Sequence, residues 1–433
     1  MGLASAASAL RKGAKDWGQV MTVTETPSEV TADQVRRDVA NWLAANWNPE
    51  LAAKDWLALA IDSGWAAPTW PTKWFGRGLA PEFGPIVDEE FRRLDAVGNS
   101  QDIYNLWANT VLAYGSEDLK SQMLRGLLLG EINMCLLYSE PGAGSDLAGV
   151  QTRAERDGDE WIINGQKVWT SGGRQADYAF LIARTNLDVP KHRGISFFFF
   201  PMHQAGVEVR PLRQATGDAR FNEVFLTDAR VPAANMLGEP GKGWWVLQTA
   251  LQYERAVMGG AMRRRAVDGP NADRDPQSEA SAPAPDLVLV ELARQHCRST
   301  DPLVRQALAR LWCMRTVNSW NAQRARAATE QGSSSPLASL GKLAMSGILH
   351  YAARVQGTIL GAEALLGGSS SLQAADCTYS MLNAYFTSIG GGTDQIQRNI
   401  IGERILGLPK EPEIDKDVPF RSVVKSPAIN RLG

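Results

Sequence analysis

The chain has 433 residues, more than one ordinary hydrophobic core accommodates, so two or three domains are expected. A 44% hydrophobic and 21% charged composition is that of a soluble globular protein, and a net charge of -2 gives no electrostatic ground for a nucleic-acid partner. Cys135, Cys297, Cys313 and Cys377 form no Cys-x-x-Cys pair, and His192, His203, His296 and His350 lack metal-ligand spacing, which argues against a disulfide framework and a zinc site.

The first thirty residues read as an N-terminal extension. Arg11, Lys12 and Lys15 stand there among Ala and Ser, and Ala6 breaks the myristoylation pattern after Gly2. No apolar run reaches the length that spans a bilayer, so a cytoplasmic protein with no membrane partner is expected. Thr31 is a plausible N-cap, and Val35, Val39, Trp42 and Leu43 follow at helical spacing. Gly64-Trp65, Pro68 and Trp70-Pro71 mark an irregular stretch. Amphipathic segments follow near Phe83–Leu94, Ile103–Tyr114 and Leu119–Leu129, so residues 31–130 read as a helical domain.

The period then changes. Trp161-Ile162-Ile163 and Val168-Trp169 flank Asn164-Gly165, which predicts a hairpin turn there. Ile195–Phe200 reads as a buried strand, and Val224–Thr227 as another, ended by Asp228 and closed off by Pro232. Residues 131–243 are therefore expected to form a compact antiparallel β-domain, and no Gly-rich strand-to-helix turn suggests a Rossmann unit. From Trp244 helices return over Trp244–Val267, Leu303–Thr329, Leu337–Leu366 and Ala374–Ser388, with a last one after Thr393. They predict a helical bundle over 244–411 and a tail over 412–433. Within the bundle, 268–285 is rich in Pro, Asp, Ser and Ala and reads as a mobile loop.

Three motifs point to chemistry. They are Tyr138-Ser139-Glu140-Pro141-Gly142-Ala143-Gly144-Ser145-Asp146, then Asn164 to Gly173, then Gly390-Gly391-Gly392-Thr393-Asp394-Gln395-Ile396-Gln397-Arg398. In this order and spacing they resemble the signatures of the acyl-CoA dehydrogenase flavoenzymes, over roughly residues 30–410. The resemblance implies an α+β fold of helical domain, antiparallel β-domain and helical bundle, with FAD between the last two. It implies that Ser139 bonds the flavin pyrimidine edge, with Leu136 and Tyr138 adding backbone contacts. Trp169 would pack on the ring, with Thr170 beside it and Ser171 near N5. Thr393, Asp394 and Gln395 would meet the ADP half, and Ser145 the thioester end of the substrate. Glu-Pro-Gly-Ala-Gly-Ser-Asp alone is built from turn residues, and Trp169 alone reads as a core aromatic. Their co-occurrence carries the reading.

The departures are informative. The family often carries its catalytic glutamate directly before Gly-Thr, where this chain has Gly391. The α-proton of an acyl-CoA thioester is weakly acidic and needs a carboxylate base in a dry pocket. Members resembling isovaleryl-CoA dehydrogenase place it on the first long C-terminal helix, before an arginine. Glu254-Arg255 matches that pair, so Glu254 is the candidate base and Arg255 a substrate-binding candidate. Asp394 is a rival, and Glu254 also reads as an ordinary charged helix residue. The Gly391 N–H could donate to the thioester carbonyl, and its missing side chain leaves room for a branched or bulky acyl group. An Arg-x-x-Phe-Gly segment that reaches a neighbouring subunit's FAD in the family has no Phe-Gly here, only Arg305-Gln306-Ala307-Leu308.

The resemblance implies α,β-dehydrogenation of an acyl-CoA ester, of branched, cyclic or steroid-side-chain type. An electron-transfer flavoprotein is the expected acceptor. The chain would assemble as a homo-oligomer, dimer or tetramer, or as a heteromer with a related subunit. The alternatives are a non-catalytic subunit completing another chain's flavin site, and a flavin oxidase or monooxygenase on the same fold.

Overall fold

The computed structural model describes residues 30–259, 285–330, 338–367, 370–410, 412–413 and 415–423. The expected loop over 268–285 lies outside them except for Pro285, which begins a helix.

The N-terminal helices are α1 (Ala32–Asn46), α2 (Ala53–Asp62), α3 (Gly84–Arg93), α4 (Gln101–Tyr104), α5 (Leu106–Tyr114) and α6 (Glu117–Leu129). Thr31 caps α1 by accepting from the Gln34 N–H at 3.3 Å, and Val35, Val39 and Leu43 line its buried face. Tryptophans fill the space between helices. Trp56 lies 5.4 Å from Trp42 and 4.6 Å from Trp47 between centroids, and its indole N–H donates to Val97 O at 2.8 Å. Buried indole N–H groups usually find such an acceptor.

Seven strands follow: β1 (Met134–Leu137), β2 (Arg153–Asp157), β3 (Glu160–Ser171), β4 (Tyr178–Arg184), β5 (Ile195–Pro201), β6 (Val207–Leu212) and β7 (Phe221–Pro232). They form one sheet in the order β1-β4-β2-β3-β7-β6, with β5 also on β4. Most ladders are antiparallel, while β1 runs parallel to β4 and β2 meets it through one parallel pair. Strand β5 is apolar at nearly every position because both its faces are covered. Phe197 and Phe199 join the core shared with the N-terminal helices, and Phe198 and Phe200 join a second core within the β-domain.

Asn164-Gly165 is not a hairpin turn. Strand β3 runs straight through it, and the turn is the two residues between Asp157 and Glu160, Gly158-Asp159. The pair sits instead in a bulge against β7, where Asn164 and Asp228 exchange hydrogen bonds of 3.0 and 2.9 Å. Glycine is required because a Cβ at 165 would collide with Thr152. Strand β7 likewise continues past Asp228, which takes φ 50° in that bulge.

The C-terminal helices are α7 (Gly243–Gly259), α8 (Pro285–Gln295), α9 (Pro302–Glu330), α10 (Ala338–Leu360), α11 (Leu372–Ile389) and α12 (Asp394–Ile400). Helix α8 was not among the expected elements, and its Leu289, Leu292 and Ala293 are buried against α9 and α10. Helix α7 joins the units. Val246, Leu247 and Ala250 enter the core of the N-terminal helices, and Thr249 Oγ1 meets Tyr114 Oη at 2.8 Å.

Candidate active site

The first motif leaves β1 and is anchored from below. Glu140 is buried and accepts from Lys167 Nζ at 2.9 Å and from the backbone N–H groups of Gln151 at 2.6 Å and Thr152 at 2.9 Å. Lys167, wholly buried on β3, also donates to Tyr138 O at 3.2 Å. Val168 N–H adds a bond to Ser139 O at 2.9 Å. Burial pushes against the Glu140 carboxylate, but Lys167 and the N–H donors outweigh it and hold its pKa below the ordinary value. Burial lowers the Lys167 ammonium, opposed by Glu140. Arg184 donates to Val150 O at 3.0 Å and Ala148 O at 2.6 Å, fixing the exit of the loop. The motif reading assigned no role to Glu140 or Lys167. The available signal was an acid and a base inside two motifs otherwise built from turn and apolar residues.

This anchoring leaves Leu136 and Ser139 half-buried and Ser145 exposed, with Tyr138 buried. Leu136 O accepts from Thr170 Oγ1 at 3.3 Å. On β3 the register shifts between Lys167 and Thr170, and Trp169 takes φ 62° there. A left-handed backbone costs a non-glycine residue about 1–2 kcal/mol. The bulge alternates its neighbours, with Thr170 buried, Ser171 exposed and the Trp169 indole 57% exposed. Trp169 lies 5.9 Å from Phe221, which lies 5.7 Å from Phe386 on α11. The bulge thus aims Trp169 and Ser171 outward, beside the helical bundle.

The glycine-rich motif links α11 to α12. Thr393 caps α12 by accepting from Ile396 N–H at 3.2 Å. The Asp394 carboxylate accepts from Lys342 Nζ at 3.2 Å and Ser346 Oγ at 2.8 Å, both on α10 and both buried. Gln395 is exposed. Gln397 is fully buried; its amide N–H donates to Gly391 O at 3.0 Å, while its Oε1 has no hydrogen-bond partner among the described residues. Gly391 and Gly392 take φ 64° and 83°. Gly391→Ala should therefore cost about 1–2 kcal/mol, the left-handed penalty. A thermal shift near zero for this variant would refute that conformation.

Glu254 is half-buried on α7. It lies close enough to Tyr138 for its charge, after burial, to raise the Tyr138 phenol well above its ordinary pKa. Glu254 is therefore within electrostatic reach of the first motif. The Arg255 side chain lies outside the described residues. Arg305 is exposed on α9. Among the described residues, no group of three His, Cys, Asp or Glu is placed to hold a metal ion, and no helix is long and apolar enough to cross a membrane.

Comparison with known proteins gives the same architecture. The acyl-CoA dehydrogenase N-terminal, middle and C-terminal domains match residues 21–131, 135–229 and 289–406. Acyl-CoA dehydrogenase IpdE1 of Mycobacterium tuberculosis is 33% identical over 408 residues, covering 88% of this chain and 98% of that one. Among solved structures, the ChsE4-ChsE5 complex from Mycobacterium tuberculosis is 28% identical at a TM-score of 0.60, covering 90% of this chain and all of that one. The Tcur3481-Tcur3483 steroid ACAD is 25% identical at 0.64, covering 89% and 99%. Three domains in family order, and a relative matched over nearly its whole length, establish that this chain belongs to the acyl-CoA dehydrogenase family of FAD-dependent oxidoreductases.

Proposed function

We propose that the chain catalyses α,β-dehydrogenation of a bulky acyl-CoA ester, ring-bearing or steroid-derived, with Glu254 as the base. What supports this is a carboxylate at Glu254 on α7, whose charge reaches Tyr138 of the first motif, while position 391 holds a glycine in a left-handed conformation. A glutamate at 391 would be strained, whereas one on α7 is not.

The residues present fit FAD. Ser139 and Ser171 offer hydroxyls, Trp169 an outward-facing indole plane, and Gln397 Oε1 is, among the described residues, an orphaned buried acceptor beside the bare Gly391-Gly392 backbone. In this reading Leu136, Tyr138, Ser139, Trp169, Thr170 and Ser171 hold the flavin ring, and Thr393, Asp394 and Gln395 the ADP half. The Asp394 carboxylate already serves α10, so its contribution is to hold that loop in place. FAD, when bound, supplies the two-electron acceptor for the β-hydride. Glu254 takes the α-proton, and Ser145, Arg255 and the Gly391 N–H bind and orient the thioester, whose oxygen gains enolate charge.

The assembly is read as heteromeric, or a homo-oligomer, with an electron-transfer flavoprotein as acceptor and a cytoplasmic setting. Support for assembly comes from the large apolar side chains that the bundle leaves exposed, Trp312 and Trp320 on α9 and Tyr385 and Phe386 on α11. The related complexes named above supply the heteromeric precedent.

The test is direct. The purified chain, alone or beside a related subunit, should bind a flavin that chromatography identifies as FAD. A ring-bearing acyl-CoA should bleach it anaerobically. A colourless protein that takes up no FAD in either setting would overturn the proposal.

A further inference from the structure

Residues 415–423 lie beyond residue 406, where the matched C-terminal domain ends. They do not trail from the bundle but lie along the connection between β4 and β5. Phe420 N–H donates to Val189 O and Arg421 N–H to Leu187 O, both at 3.0 Å, and Pro419 pairs antiparallel with Pro190. Arg421 forms an ion pair with Asp188. Phe420 is 3% exposed, while the other residues of the segment are partly or wholly exposed. One buried aromatic in an otherwise open segment marks a docked element.

Two side chains carry this docking to the first motif. The Arg184 guanidinium carbon lies 3.4 Å from the Phe420 ring centroid, within cation–π range. The same guanidinium donates to Ala148 O, to Val150 O and, at 2.9 Å, to Lys191 O. Phe420 thus covers the cation whose bonds fix the exit of the motif. Lys191 Nζ, in turn, bridges Asp415 at 2.9 Å and Asp146 at 3.0 Å, and Asp146 directly follows Ser145. The Asp146 side chain is 63% exposed, and an isolated pair of that kind is worth little. Here Lys191 is held at its backbone by Arg184 and at its ammonium by Asp415, so it is already in place when it meets Asp146.

The same connection also meets the helix of the candidate base. The turn Lys191–Gly194 packs on Leu147–Gly149 and on α7. His192 stands edge-on to Trp244 of α7, 4.6 Å between ring centroids. One turn therefore touches both the end of the first motif and the helix that carries Glu254, and residues 415–423 are bound to that turn.

We propose that Asp415 and Phe420 are positioning residues for the acyl-CoA site. Through Lys191 and Arg184 they hold the loop of Ser145 in its binding conformation and so set substrate affinity, leaving the chemical step to Glu254. The inference rests on the dehydrogenase reading and adds to it a segment outside the three matched domains. The physical ground is preorganisation: a loop that must be ordered on binding takes its ordering entropy out of the affinity.

The experiment uses the flavin-loaded protein, with whatever subunit it needs, and 3-cyclohexylpropanoyl-CoA as the probe. Asp415→Asn and Phe420→Ala should each raise KM about three- to tenfold, the scale of one hydrogen bond, with kcat and flavin content as in the parent. Asp415→Glu keeps the carboxylate and should keep the parent KM. Hydrogen exchange at the amides of residues 143–150 should quicken in both weakened variants. A merely structural role would lower the melting temperature and leave KM alone. If Phe420→Ala does not fold, Asp415→Asn, which changes a partly exposed side chain, still decides. Bleaching by the parent with unchanged KM in the variants would overturn this inference and leave the dehydrogenase reading standing. A parent that the ester does not bleach would overturn both.

Discussion

Glu254→Gln should slow bleaching of the bound flavin by acyl-CoA about 10²–10⁴-fold, the usual contribution of a general base, with the flavin still bound. Glutamine keeps the size and hydrogen-bonding reach of the side chain but cannot take a proton. The loss should therefore appear in the reductive step and not in the flavin content. Stopped-flow absorbance under anaerobic conditions reads both. Substrate affinity should change less than rate, since the carboxylate acts on the α-proton and not on the CoA portion. If the variant bleaches as fast as the parent, the base lies elsewhere. Asp394 is a poor successor, because Lys342 and Ser346 already engage its carboxylate inside the bundle.

The broad plan was legible because it depends on period. Val35, Val39 and Leu43 recur at helical spacing, and the continuous apolar run of β5 is what a strand covered on both faces requires. Asn164-Gly165 misled because the same dipeptide suits a hairpin turn and a bulge. What decided between them was Thr152, which packs against Gly165 from outside the strand and is invisible to a local window. Helix α8 went unseen because its apolar residues Leu289, Leu292 and Ala293 become a coherent face only against α9 and α10. At the site, motif order pointed to the loops, and Glu254 was the candidate because Glu254-Arg255 resembles the isovaleryl-CoA dehydrogenase pair in a chain with glycine at 391. The pairing of Glu140 with Lys167 spans 27 positions, and Tyr138 lies 116 positions before Glu254. Contacts of that range belong to the packed chain, so these partners emerge only from the fold.

Glu140→Gln should destabilise the protein by about 3–5 kcal/mol, the cost of stripping one partner from a buried ion pair. Lys167 would be left wholly buried with Tyr138 O as its remaining partner, and the ammonium would lose the carboxylate that opposes its desolvation. The single carbonyl oxygen of glutamine can accept from Gln151 N–H or from Thr152 N–H but not from both, so the loss combines the missing charge with one backbone hydrogen bond. The double variant Glu140→Gln, Lys167→Met removes both charges and should recover much of the loss, since a buried pair replaced by apolar volume is often neutral. The sign with pH follows from Glu140. Its folded pKa is lowered, so the native state binds fewer protons than the unfolded chain across the interval below the ordinary carboxylate value. The contribution is fully present above that value and is lost as the pH falls through the folded pKa. The parent should therefore lose stability through this acid window more steeply than Glu140→Gln, which has no carboxylate at 140 to titrate. Denaturant midpoints for parent, single and double variants, at neutral pH and within that window, measure all of this. A single variant as stable as the parent, with the same acid slope, would mean that the first motif is held by its backbone turns and not by this pair.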